Sequence, residues 1–255
     1  MKIGAQLYTV RAFTQNSKDF AACMKRIASI GYETVQVSGI NTAEISPQEV
    51  ADVCKENNLE IVVTHTPANR IKDETATVIA EHELMGAKYI GLGSVPSSVY
   101  SYNKEGFDHF IADMTPAVKA IADAGMCFMY HNHEFEFMKI GGKTVLEYLA
   151  DGIPQMGFTL DTFWVQVGGG DPAQYIRKLS GRVDIIHLKD LIIAPGNERR
   201  MAEFLEGNMN WDSIYEASKE SGVKYAMVEQ DNCYERDPFE SMEISFNNLR
   251  KKGWV

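Results

Sequence analysis

Helix, glycine and short apolar run follow one another repeatedly along this chain, and that recurrence restricts its fold more than any single motif. Gly31, Gly86, Gly125, Gly181 and Gly222 each stand one to three residues before an apolar run. A glycine there suits the left-handed turn that ends a helix and returns the chain to a sheet. The runs read as strands near Ile3–Leu7, Thr34–Val37, Ile61–His65, Tyr89–Leu92, Met126–Met129, Met156–Asp161, Val183–Asp190 and Tyr225–Glu229. Between them apolar residues recur at helical spacing, as in Phe20, Met24, Ile27 and Ala28 after Ser17. Asp171-Pro172 places an N-cap and an N1 proline at one helix start. Alternating helices and apolar strands imply parallel pairing with both sheet faces covered. Eight such units, about 32 residues apart in a chain of 255, predict one domain over residues 1–255, a closed (β/α)8 TIM barrel. A doubly wound open sheet is the alternative, but no Gly-x-Gly-x-x-Gly follows the first strand and no P-loop occurs.

In such a barrel the active face lies at the C-terminal ends of the strands. The apolar runs end in Gln6, Gln36, His65, a group from His131 to Glu136, Asp161, His187 with Lys189, and Glu229. The densest stretch is Met129-Tyr130-His131-Asn132-His133-Glu134-Phe135-Glu136-Phe137. Burying its polar groups without partners would cost roughly several kcal/mol, so they require a metal, a ligand or one another. An imidazole with two or three carboxylates suits a fairly hard divalent ion. Mn²⁺ or Mg²⁺ is favoured, with Co²⁺, Fe²⁺ and Zn²⁺ also compatible. Such an ion would polarise a carbonyl and stabilise an enediolate, while two glutamates on opposite faces remove and return a proton on carbon.

The net charge of −10 disfavours nucleic acid, whose phosphates call for a basic surface. No apolar run approaches the roughly 20 residues that span a bilayer. Met1-Lys2-Ile3-Gly4 leads straight into the first strand with no secretory signal. Cys23, Cys54, Cys127 and Cys233 are scattered, without a Cys-x-x-Cys. The expectation is a soluble cytoplasmic enzyme acting on a small carbohydrate, needing neither nucleic acid nor membrane and compatible with a homo-oligomer. The long connection from Leu191 to Asn210 is expected to be a lid closing over the site.

Tyr130 to Phe137, Thr159-Leu160-Asp161-Thr162-Phe163-Trp164, His187-Leu188-Lys189-Asp190 and Val228-Glu229-Gln230-Asp231, with Gln6 to Arg11, resemble the sugar phosphate isomerase/epimerase family of the xylose isomerase-like barrel superfamily. The resemblance runs through the whole chain in the right order. It implies a metal held by Glu, Asp, His and Glu on successive strands, the two glutamates forming the acid/base pair. Asp161, His187 and Glu229 match. The first glutamate's place at the strand end is taken by His131, so the role passes to Glu136, with Glu134 second and His131 third. Gln6, Gln36, His65, His131, His133, Trp164 and Lys189 are the expected substrate contacts. The epimerases' histidine three residues after the aspartate is Trp164 here, and their arginine six residues after the metal histidine is Ile193; Lys189 supplies positive charge instead. The function implied is a metal-dependent sugar or keto-sugar isomerase/epimerase. The alternative is a lyase or dehydratase of an inosose or 3-keto glycoside using the same site.

Overall fold

Each apolar run becomes a strand in the computed structural model, which describes residues 1–255. The strands are β1 (Lys2–Gln6), β2 (Thr34–Val37), β3 (Glu60–Thr64), β4 (Tyr89–Leu92), β5 (Cys127–His131), β6 (Gly157–Asp161), β7 (Val183–Leu188) and β8 (Tyr225–Val228). Each pairs in parallel with its sequence neighbour, and β1 closes on β8 with Ile3 beside Ala226. The fold is therefore a (β/α)8 TIM barrel. All five punctuating glycines have positive φ, and at Gly86 and Gly222 the backbone is left-handed and closes the preceding helix.

Helices cover the barrel because their apolar stripes face it. On Ser17–Ile30, capped by Asn16, the buried positions are Phe20, Cys23, Met24 and Ile27. The main core lies between helices and strands, while a smaller group (Val62, Val63, Tyr89, Met129, Ile185 and Met227) fills the barrel interior. Gly91 shows how close that sheet packs, since a Cβ there would run into the Thr64 carbonyl. No helix is long and apolar enough to cross a membrane.

Two short helices fall where loops were expected, at Ala68–Asp73 and Thr162–Val167, and Leu7–Phe13 is a 3₁₀ segment. The Leu191–Asn210 connection also differs from expectation. It is an antiparallel ribbon, Asp190–Ala194 paired with Glu198–Ala202, followed by a loop. Asp190 ties ribbon and loop together, accepting from the backbone N–H groups of Leu191, Leu205, Gly207 and Met209 and from Trp211 Nε1. The ribbon meets the end of β8 through Met201, whose Sδ accepts from Asp231 N at 3.3 Å.

Candidate active site

Pleating points alternate residues of a strand into the barrel, and at the C-terminal end those residues are charged. Asp161 ends β6 opposite His187 of β7, His131 ends β5, and Lys189 and Glu229 follow β7 and β8. All five are buried. One donor atom from each of His131, Asp161, His187 and Glu229 lies within 4.8 Å of the others.

The two imidazoles are held so that their second nitrogens face the carboxylates, His131 Nε2 hydrogen-bonding Asp161 Oδ2. A carbonyl only accepts, so His131 donates from Nδ1 to Gly93 O (2.9 Å) and His187 from Nε2 to Gln36 Oε1 (2.7 Å). That leaves His131 Nε2 at 3.3 Å and His187 Nδ1 at 3.5 Å from Asp161 Oδ2. His187 Nδ1 is also 2.7 Å from Glu229 Oε2, yet neither atom has a partner in hydrogen-bond geometry. Each imidazole is oriented from behind by a carbonyl, and this buried set of two imidazoles and two carboxylates could hold a metal ion. Asn132 fixes the aspartate from outside: its Oδ1 accepts from Asp161 N (2.9 Å).

Lys189 Nζ lies 2.9 Å from Asp161 Oδ2, 2.9 Å from Glu229 Oε2 and 3.1 Å from Asp231 Oδ2. Three carboxylates surround one ammonium, and His187 adds a second positive charge beside two of them. Burial would raise the Asp161 and Glu229 carboxyls, but Lys189 and the histidines hold both well below the usual carboxylate range. Burial would lower His187, but Glu229 and Asp161 push it up to about 9. Burial and the Glu229 charge raise Asp231 to about 7, against Lys189. Burial lowers His131 and His65, and takes His133 down to about 3.

Glu136 stands apart, which corrects its expected place among the ligands. The chain leaves β5 through a 3₁₀ turn at Phe135–Phe137, and this turn carries the carboxylate back behind its own strand. There it accepts from Tyr130 Oη (2.6 Å) and from His133 N (2.8 Å), and burial pushes it up to about 8. Glu134 is likewise outside the group, which includes His131 instead.

A cleft of about 340 Å³ opens above the cluster, with His65, His131, His133, Lys189, Glu229 and Asp231 in its wall. Asp161 lies beneath it, fully buried. Gln36 is also fully buried, donating from Nε2 to His65 Nε2 (2.7 Å) while its Oε1 holds His187. It positions histidines and does not line the cleft. Gln6 Oε1 accepts from Tyr8 N (3.0 Å), leaving its Nε2 without a partner. Trp164 lies beside His133, with Lys189 Nζ 5.6 Å above its ring, and its Nε1 has no acceptor. Tyr8, Arg11 and Asp231 line the cleft without having been singled out as site residues. The available signal was polarity just past the ends of β1 and β8.

A family model described as "Xylose isomerase-like TIM barrel" matches residues 24–251. Comparison with curated proteins gives no match. Among solved structures, a sugar phosphate isomerase/epimerase from Parabacteroides distasonis superposes with a TM-score of 0.83 at 21% identity, covering 100% of this chain and 95% of that one. A probable 3-DHS dehydratase from Bacillus anthracis gives 0.75 at 14%, covering 98% and 99%. An L-ribulose 3-epimerase gives 0.73 at 12%, covering 100% and 97%. At these identities the likeness concerns the fold, and function rests on the site.

Proposed function

Because the chain belongs to the xylose isomerase-like TIM-barrel family, we propose that it is an isomerase or epimerase that moves a proton on the carbon beside a carbonyl in a sugar or keto-sugar derivative. The observation that carries this reading is the buried set of two imidazoles and two carboxylates under a polar cleft, with the second nitrogen of each imidazole turned toward carboxylate oxygens.

His131, Asp161, His187 and Glu229 fit a divalent ion and would hold it. A second imidazole in the set moves the preference from Mg²⁺ toward Mn²⁺, Co²⁺, Fe²⁺ or Zn²⁺. When bound, such an ion supplies Lewis-acid polarisation of a substrate carbonyl. The protein's own contribution is proton transfer and orientation. Glu229 and Asp231 are the cluster carboxylates that reach the cleft wall, and they form the proton-transfer pair in this reading. Glu229, kept ionised by Lys189 and His187, takes a proton from carbon; Asp231 returns one. Lys189 is ion-paired with both carboxylates and donates to the substrate oxygen on which negative charge develops. His133, neutral and with its Nδ1 unpartnered, presents a ring nitrogen to a hydroxyl group, while His65, held by Gln36 and Ser38 through both ring nitrogens, shapes the wall.

The test is hydrogen exchange in deuterated water, followed by NMR across a panel of keto-sugars with the protein supplied with Mn²⁺. Deuterium should enter at the carbon beside the carbonyl with wild type, and Asp231→Asn should slow that entry by about 10²-fold, the scale of general acid–base catalysis. Turnover at low conversion with no solvent deuterium in the product would overturn the scheme.

A further inference from the structure

The cleft above the charged cluster has a neighbour. A second cavity of about 490 Å³ lies between the loops after β3 and β4, and it shares His65, Gly93 and Ser94 with the catalytic cleft. The His65 ring partly divides the two, standing 5.2 Å from His131 by ring centroids on the catalytic side. Gly93 keeps the passage open. Its φ is not positive, so the backbone does not call for glycine. A Cβ there would stand 3.1 Å from His65 Nδ1, however, and any longer side chain would block the connection. The outer lobe is the larger of the two, and a lone keto-monosaccharide in the catalytic cleft would leave it to water.

Its lining identifies what it would take. Asn69, Ser94 and Ser98 bring amide and hydroxyl groups, and Val99 with the nearby prolines gives an apolar strip. That mixture suits the hydroxyls and C–H face of a pyranose ring. It does not suit a phosphate. Lys72 is the one lysine or arginine in the lining, and it is engaged by Asp113 (3.3 Å) and Asp73 (3.8 Å). Asp113 also accepts from Tyr100 Oη (2.8 Å), so the lysine's positive charge is already paired with two carboxylates. We infer that the substrate is a glycoside, with its carbonyl-bearing unit above the charged cluster and a neutral glycosyl unit in the lobe between the β3 and β4 loops. This rests on the keto-sugar reading above and adds the second unit to it.

Calorimetric titration of the Mn²⁺-supplied protein tests it with three probes: D-fructose, its 3-O-glucoside turanose, and fructose 6-phosphate. Turanose should bind about tenfold more tightly than fructose, a difference of about 1.4 kcal/mol, and the phosphate should gain nothing. Val99, 65% exposed on the rim, can be enlarged without touching the core or the charged cluster. Val99→Trp should abolish the turanose advantage and leave fructose affinity unchanged. Fructose binding as tightly as turanose, or an advantage that survives Val99→Trp, overturns the glycosyl lobe while the keto-sugar reading stands. Tightest binding of the phosphate overturns the lobe's neutral character. Binding of none of the three overturns both readings together.

Discussion

The floor and the mouth of this barrel are built from the same inward-facing rows of the same strands. On β5 Met129 lies on the floor and His131 at the mouth; on β7 Ile185 gives way to His187; along β8 Met227 gives way to Glu229 just past the strand end. Each change takes two residues, about 6.6 Å of strand rise. Below that step the residues belong to an apolar cluster, and above it they belong to the charged group. Stability and chemistry are thus separated along single strands, and a substitution two residues away should change a different property.

Ile185→Ala should show the largest effect and break only the floor. The residue is fully buried, and a cavity of this kind costs about 2–5 kcal/mol. Denaturant titration should show that loss while Mn²⁺ affinity stays at the wild-type value. A loss under about 1 kcal/mol, or a ruined ion site, would mean floor and mouth are not separate. Glu229→Gln makes the opposite break. Turnover on the active keto-sugar should fall by at least about 10²-fold, measured with ion occupancy restored, and the circular dichroism spectrum should be unchanged. Unfolding of this variant would place Glu229 with the floor.

Glu136 sharpens the comparison with a smaller effect, because it is a buried carboxyl outside the mouth. Its folded pKa of about 8 lies above the ordinary value of 4.5, so the folded chain holds a proton that the unfolded chain releases. The stability from that proton is complete below pH 4.5 and is lost as pH rises through 8, at no more than about 1.4 kcal/mol per pH unit. Glu136→Gln should flatten the dependence of unfolding free energy on pH between 5 and 8. An unchanged slope in denaturant titrations across that range would show that Glu136 is already ionised in the fold.

The barrel was legible in the sequence because helix caps, glycines and apolar runs are local signals that agree with one another. Asp161, His187 and Glu229 were legible for the same reason, since each directly ends or extends a run whose alternation gives its direction. Glu136 was not. Alternation stops at His131, and the turn that follows has its own geometry, so counting onward along the stretch placed a carboxylate in the mouth that in fact faces Tyr130. The ribbon after β7 was not legible because length alone does not reveal an aspartate collecting four backbone N–H groups from up to nineteen residues away. The outer lobe was beyond sequence reading altogether, being a space between two loops.

Asp190 has a further consequence for how this chain tolerates change. It follows Lys189 directly, so the lysine's attachment to the mouth is braced by the same carboxylate that gathers the ribbon's base. The ribbon's tip at Pro195-Gly196-Asn197, farther along the pairing, is free of that brace. Sequence grafted at the tip, such as an epitope or a fluorophore-bearing peptide, would have an anchored stem beneath it and Lys189 insulated from whatever it carries.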